Sequence, residues 1–137
     1  MGEKEKKFSI SSKIEAIDEA VVKATKFATE AGFDENALFG IDMAVREALA
    51  NAVKHGNKLD PKKEVEITLT DLGDGMEIAI RDFGEGFNVE QVPDPTNPEN
   101  LLKASGRGIL FMHNFVDNVE WESHAAGGTI VKMRKNR

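Results

Sequence analysis

The chain has 137 residues, 40% hydrophobic and 31% charged, with a formal net charge of −6. Those values fit one soluble globular domain, and residues 1–137 are expected to form a single domain. With no cysteine, disulfides, thiolate catalysis and cysteine-ligated zinc are excluded, and the acidic balance argues against direct binding to nucleic acid.

No apolar run approaches the roughly 18 residues that cross a membrane. Met1-Gly2-Glu3-Lys4-Glu5-Lys6-Lys7 lacks the apolar stretch of a signal peptide, so a cytoplasmic location without membrane contact is expected. Residues 6–13 alternate, with Phe8 and Ile10 on one side, and predict a first strand. Residues 14–31 change to helical spacing through Ile14, Ile17, Val21, Ala24, Ala28 and Ala31, and Gly32 is placed to end that helix. Asp34 is a candidate N-cap for a second helix that runs to about His55 and is stopped by Gly56-Asn57 and Pro61. Its apolar stripe is Leu38, Ile41, Val45, Ala48, Leu49 and Ala52.

Two alternating strands follow, Val65-Ile67-Leu69 and Met76-Ile78-Ile80, joined across Leu72-Gly73-Asp74-Gly75, whose Asp-Gly pair marks a hairpin. Residues 84–105 are rich in glycine and proline and predict a long functional loop. An apolar helix over 107–117 and a last antiparallel pair, 118–124 and 128–135 across Ala126-Gly127-Gly128, complete the order β-α-α-β-β-α-β-β. The expected fold is α+β: a two-layer sandwich with a mixed, mostly antiparallel sheet and three helices on one face.

Three groups of polar residues break these patterns. Asp82 is the next inward position after Met76, Ile78 and Ile80, and Thr129 holds the matching position before Val131 and Met133. A carboxylate there needs a donor, so the strand ends resemble a pocket floor more than a sealed core. On the second helix Glu47, Asn51 and Lys54 cluster on a different side from the apolar stripe. An acid and an amide there can supply the proton acceptor and hard oxygen ligand of Mg-phosphate chemistry. Ser105-Gly106-Arg107-Gly108 leads into a helix, where glycines and free amides favour an anion, although no Gly-Lys-Ser/Thr of a P-loop follows. Taken singly, Glu47 and Asn51 read first as a solvated helix face, Asp82 as a turn residue before Gly84, and the glycine pair as a turn. His113, His124, Met43 and Met112 read as packing or surface residues, and Trp121 beside Val119 as core.

Together the motifs resemble the GHKL (Bergerat-fold) ATPase superfamily, and within it the anti-sigma-factor serine/threonine kinases of bacteria. Glu47-Ala48-Leu49-Ala50-Asn51-Ala52-Val53-Lys54-His55-Gly56 is similar to that family's N box. Arg81-Asp82-Phe83-Gly84-Glu85-Gly86-Phe87 and Ser105-Gly106-Arg107-Gly108-Ile109 are similar to its two glycine boxes, and Gly128-Thr129 to its terminal threonine.

The resemblance implies ATP with Mg2+ as cofactors. Asn51 would hold the metal and Glu47 would be the general base. Asp82, supported by Thr129, would bind the adenine amine. Gly84 and Gly86 would pass beneath the base, and residues 88–105 would form an ATP lid. Ser105, Gly106 and Gly108 would line the phosphates, with Arg107, Lys103 or Lys54 as candidate cations. Some of these kinases carry an arginine where this chain has Ala104, which leaves the γ-phosphate cation open. The implied function is phosphorylation of an anti-anti-sigma (STAS) partner and sequestration of a sigma factor, by a homodimer formed through the first strand and helix. The alternatives are an ATP-sensing module that holds a regulatory partner without phosphate transfer, and the isolated catalytic domain of a histidine kinase.

Overall fold

The computed structural model describes residues 4–57, 60, 62–83, 115–123 and 127–136. Alternating apolar residues build five strands: β1 (Glu5–Ser11), β2 (Glu64–Asp71), β3 (Gly75–Arg81), β4 (Asn118–Ser123) and β5 (Thr129–Asn136). They form one sheet in the order β1-β2-β3-β5-β4, and every pairing among the described residues is antiparallel. The α+β fold with a mostly antiparallel sheet is borne out, and each described strand runs opposite to its neighbour.

Register aligns the apolar positions into rows. Phe8, Ile67, Ile80, Val131 and Trp121 lie opposite one another across the five strands, and Leu69, Ile78, Met133 and Val119 form the next row. Because side chains alternate, this places the whole apolar set on one face. Ile67, Leu69, Ile78 and Met133 are completely buried there, with Trp121 partly buried against the same core.

Two helices cover that face, α1 (Ile14–Glu30) and α2 (Glu35–Asn51). The third expected helix, over 107–117, lies outside the described residues except for its last three positions. Alpha-helix α1 ends where Gly32 was expected to end it, at φ 93°, with Gly32 N–H bonded to Thr29 O and Phe33 N–H to Ala28 O. These two bonds satisfy two of the last-turn carbonyls, and the buried Phe33 seals the end. Asp34 then caps α2, its Oδ1 accepting from Ala37 N–H at 2.9 Å.

Ile14, expected in the apolar stripe of α1, is instead 51% exposed, and Ala20 and Phe27 are buried in the face that contacts the core. Arg46 of α2 pairs with Asp18 of α1 and with Asp42, and these hydrogen bonds, Asp18's first, raise its guanidinium above its ordinary range. Gly40 is where the chain at Phe115 crosses α2: a Cβ there would lie 2.9 Å from the Phe115 carbonyl oxygen. Among the described residues no helix is long and apolar enough to cross a membrane.

Candidate functional site

The second helix does not continue as an α-helix to His55. Its last turn, Ala52–Gly56, widens into a π-helical turn, closed by Asn57 N–H to Ala52 O at 2.8 Å. Such single-turn bulges recur at functional sites because one extra residue re-aims the side chains that follow. Glu47 and Asn51 remain one regular turn apart on α2, both half-buried. Lys54 sits on the widened turn and is exposed. Among the described residues no hydrogen bond or ion pair engages the side chains of Glu47, Asn51 or Lys54.

Asp82 and Thr129 are buried where the alternation places them, at 7% and 5% exposure. The two strand ends are stitched together there. Asp82 N–H donates to Thr129 O at 3.0 Å, and Thr129 N–H donates back to Asp82 Oδ1 at 3.3 Å. This contact depends on Gly128, which has φ 88°, and a Cβ on it would overlap the Asp82 carbonyl oxygen. Only glycine meets both demands, a left-handed backbone and a neighbour at backbone contact.

A second tie joins this corner to the helix layer. Phe83 N–H donates to Asn57 Oδ1 at 2.8 Å, so the residue after Asp82 is held by the residue that closes the π-helical turn. The end of α2, the exit of β3 and the start of β5 therefore meet at one corner of the sandwich. That corner holds a buried carboxylate, Asp82, and a buried Thr129, and half-buried Glu47 and Asn51 stand on the helix that ends at it.

Among the described residues, Arg46 and Arg81 are engaged in other contacts. Arg46 bridges the two helices. Arg81 lies over the Phe83 ring, 4.3 Å from its centroid, and reaches Gly127 O. Neither is available as a phosphate cation without breaking those contacts.

Of the other expected site residues, Gly84, Gly86, Lys103, Ser105, Gly106, Arg107 and Gly108 lie outside the described residues, as does the expected lid over 88–105. His113, Met112 and His124 do so as well. Two residues that hold this corner together, Gly128 and Asn57, carry little signal of that role in the sequence. For Gly128 the available signal is a Gly-Gly pair directly before an inward Thr, a sign of close backbone approach. Asn57, at 1% exposure, follows a widened turn that carries no sequence signature.

A profile of histidine kinase-like ATPase domains matches residues 10–135. An anti-sigma F factor of Anoxybacillus flavithermus is 36% identical over 133 residues, covering 94% of this chain and 88% of the relative. An anti-sigma F factor of Heyndrickxia coagulans is 34% identical over 122 residues, covering 85% of this chain and 82% of the relative. Among solved structures, the RsbU and RsbW domains of a Mycobacterium tuberculosis protein superpose with a TM-score of 0.70 at 19% identity. That match covers 96% of this chain and 31% of the solved one, and shows a shared fold.

Proposed function

The chain belongs to the family of histidine kinase-like ATPase domains, and on that premise we propose that it is an anti-sigma factor that phosphorylates a regulatory partner on serine or threonine. The observation that supports this reading is the buried Asp82–Thr129 pair tied together at the strand ends, with half-buried Glu47 and Asn51 one turn apart on α2. The similarity to anti-sigma F factors over most of both chains supports the same reading.

In this proposal Asp82 accepts from the exocyclic amine of adenine, with Thr129 supporting it. The carboxylate is buried and already oriented by the Thr129 amide, so recognition needs little rearrangement. Half-buried Asn51 offers one hard oxygen, a donor set that suits Mg2+, which takes few protein ligands and completes its shell with phosphate oxygens and water. When bound, the metal neutralises charge on the transferring phosphoryl group. Glu47, one turn away, takes the proton from the attacking hydroxyl of the partner as the bond to phosphorus forms, and ADP leaves. Gly84 and Gly86 pass beneath the base. Residues 88–105 act as the lid, and Ser105, Gly106 and Gly108 line the phosphates, with Lys103, Arg107 or Lys54 as their cation.

The partner is an anti-anti-sigma protein of the STAS type, and the target of sequestration is a sigma factor. The protein works in the cytoplasm, as a homodimer joined through β1 and α1. The test is transfer of labelled γ-phosphate from ATP to a serine-bearing STAS protein in the presence of Mg2+. Transfer that depends on both establishes the kinase. Nucleotide binding with no transfer to any such partner would instead support an ATP-sensing module.

A further inference from the structure

Asn57 is the one buried carboxamide among the described residues, and each described bond of its side chain reaches a different part of the fold. Its Nδ2 donates to Ser12 Oγ at 2.5 Å, just past β1, and to Glu64 O at 2.9 Å, at the start of β2. Its Oδ1 accepts from Phe83 N–H at 2.8 Å. Ser12 is as deeply buried as Asn57, and α1 begins without a side-chain cap, so that hydroxyl serves the amide and not the helix next to it.

The consequence falls on Asp82. Its own N–H is fixed by Thr129 O on β5, and the next N–H, of Phe83, is fixed by Asn57. With both peptide planes held, φ and ψ of Asp82 are set, and so is the direction of its Cα–Cβ bond. Asn57 supplies two donors and one acceptor from a single plane, which neither Asp, lacking donors, nor Ser, too short, can reproduce.

We propose that Asn57, held in turn by Ser12, is a positioning residue for nucleotide-base selection: it aims the Asp82 carboxylate at the base. The inference rests on the reading of Asp82 given above. It requires that loss of Asn57 weaken discrimination between bases, beyond any general loss of affinity.

The test measures dissociation constants of Mg-ATP and Mg-ITP for the full chain by calorimetry, well below the unfolding temperature. Inosine replaces the exocyclic amine by a carbonyl oxygen and leaves the ribose and triphosphate unchanged. Wild type is expected to prefer ATP, and Asp82→Asn to lose that preference, since its amide can donate to the inosine oxygen. Asn57→Ala is expected to lower the ATP/ITP preference by about three- to tenfold, the worth of one misdirected hydrogen bond. Ser12→Ala, a milder change that keeps the carboxamide, is expected to lower it less and in the same direction, and it decides the matter if Asn57→Ala does not fold. Equal weakening of both nucleotides in Asn57→Ala and Ser12→Ala, with the preference lost only in Asp82→Asn, would overturn this inference and leave the role of Asp82 standing. An unchanged preference in Asp82→Asn would overturn both.

Discussion

Replacing Gly128 by alanine perturbs the Asp82–Thr129 corner without touching either side chain, and replacing Gly127 provides its control. Both glycines adopt left-handed conformations, φ 101° at Gly127 and φ 88° at Gly128. An added Cβ at Gly127 meets nothing within 4 Å, whereas at Gly128 it overlaps the Asp82 carbonyl oxygen and lies 2.9 Å from the carbonyl carbon. The backbone strain common to both is about 1–2 kcal/mol. Overpacking adds about 1–3 kcal/mol at Gly128 alone. At about 4 °C per kcal/mol for a domain of this size, Gly127→Ala should lower Tm by about 4–8 °C and Gly128→Ala by about 8–20 °C. Because the overlap falls on the Asp82 peptide, Gly128→Ala should also lose most of the Tm increase produced by Mg-ATP, and Gly127→Ala should retain it. Thermal unfolding of both variants with and without nucleotide measures all four quantities. Equal losses in the two variants, or an intact nucleotide response in Gly128→Ala, would refute the close-approach argument.

Glu47→Ala should reduce phosphate transfer by about 10²–10⁴-fold, the usual worth of a positioned base, while ATP affinity stays near wild type. Calorimetry beside a transfer assay separates the two, and unchanged transfer would remove Glu47 from the role of base. Asp34→Ala removes the carboxylate that accepts from Ala37 N–H. It should cost about 1 kcal/mol, or about 4 °C in Tm, with no change in nucleotide affinity. Gly40→Ala should destabilise the protein despite a helix-propensity gain of about 1 kcal/mol, because the new Cβ would lie 2.9 Å from the Phe115 carbonyl oxygen. A stabilised variant would contradict that crossing.

What was readable in the sequence was whatever local periodicity or local chemistry determines. Period-two alternation located the strands and the inward direction of Asp82 and Thr129, because burial of one sheet face allows a single register. Gly32 and Asp34 marked the helix junction because capping is chemistry of the nearest few residues. The exposure of Ile14 was not readable, since the first residue of a helix can satisfy the spacing while lying beyond the layer that covers it. The widened turn at Ala52–Gly56 was not readable either: its one extra residue answers to the distant partners of Asn57, at Ser12, Glu64 and Phe83. That is why nothing in the local sequence marks Asn57 as more than a helix stop. The all-antiparallel pairing likewise depends on β5 entering between β3 and β4, a choice made by the tertiary fold.

The most direct measurement is thermal unfolding of wild type and Asp82→Asn with and without about 1 mM Mg-ATP. A ligand at 10 to 100 times its dissociation constant stabilises the native state by about 1.4–2.7 kcal/mol. For this chain that corresponds to about 5–10 °C, and Asp82→Asn should lose most of it. No shift in wild type with Mg-ATP or Mg-ADP, or an equal shift in Asp82→Asn, would contradict an adenine pocket built on the Asp82–Thr129 corner.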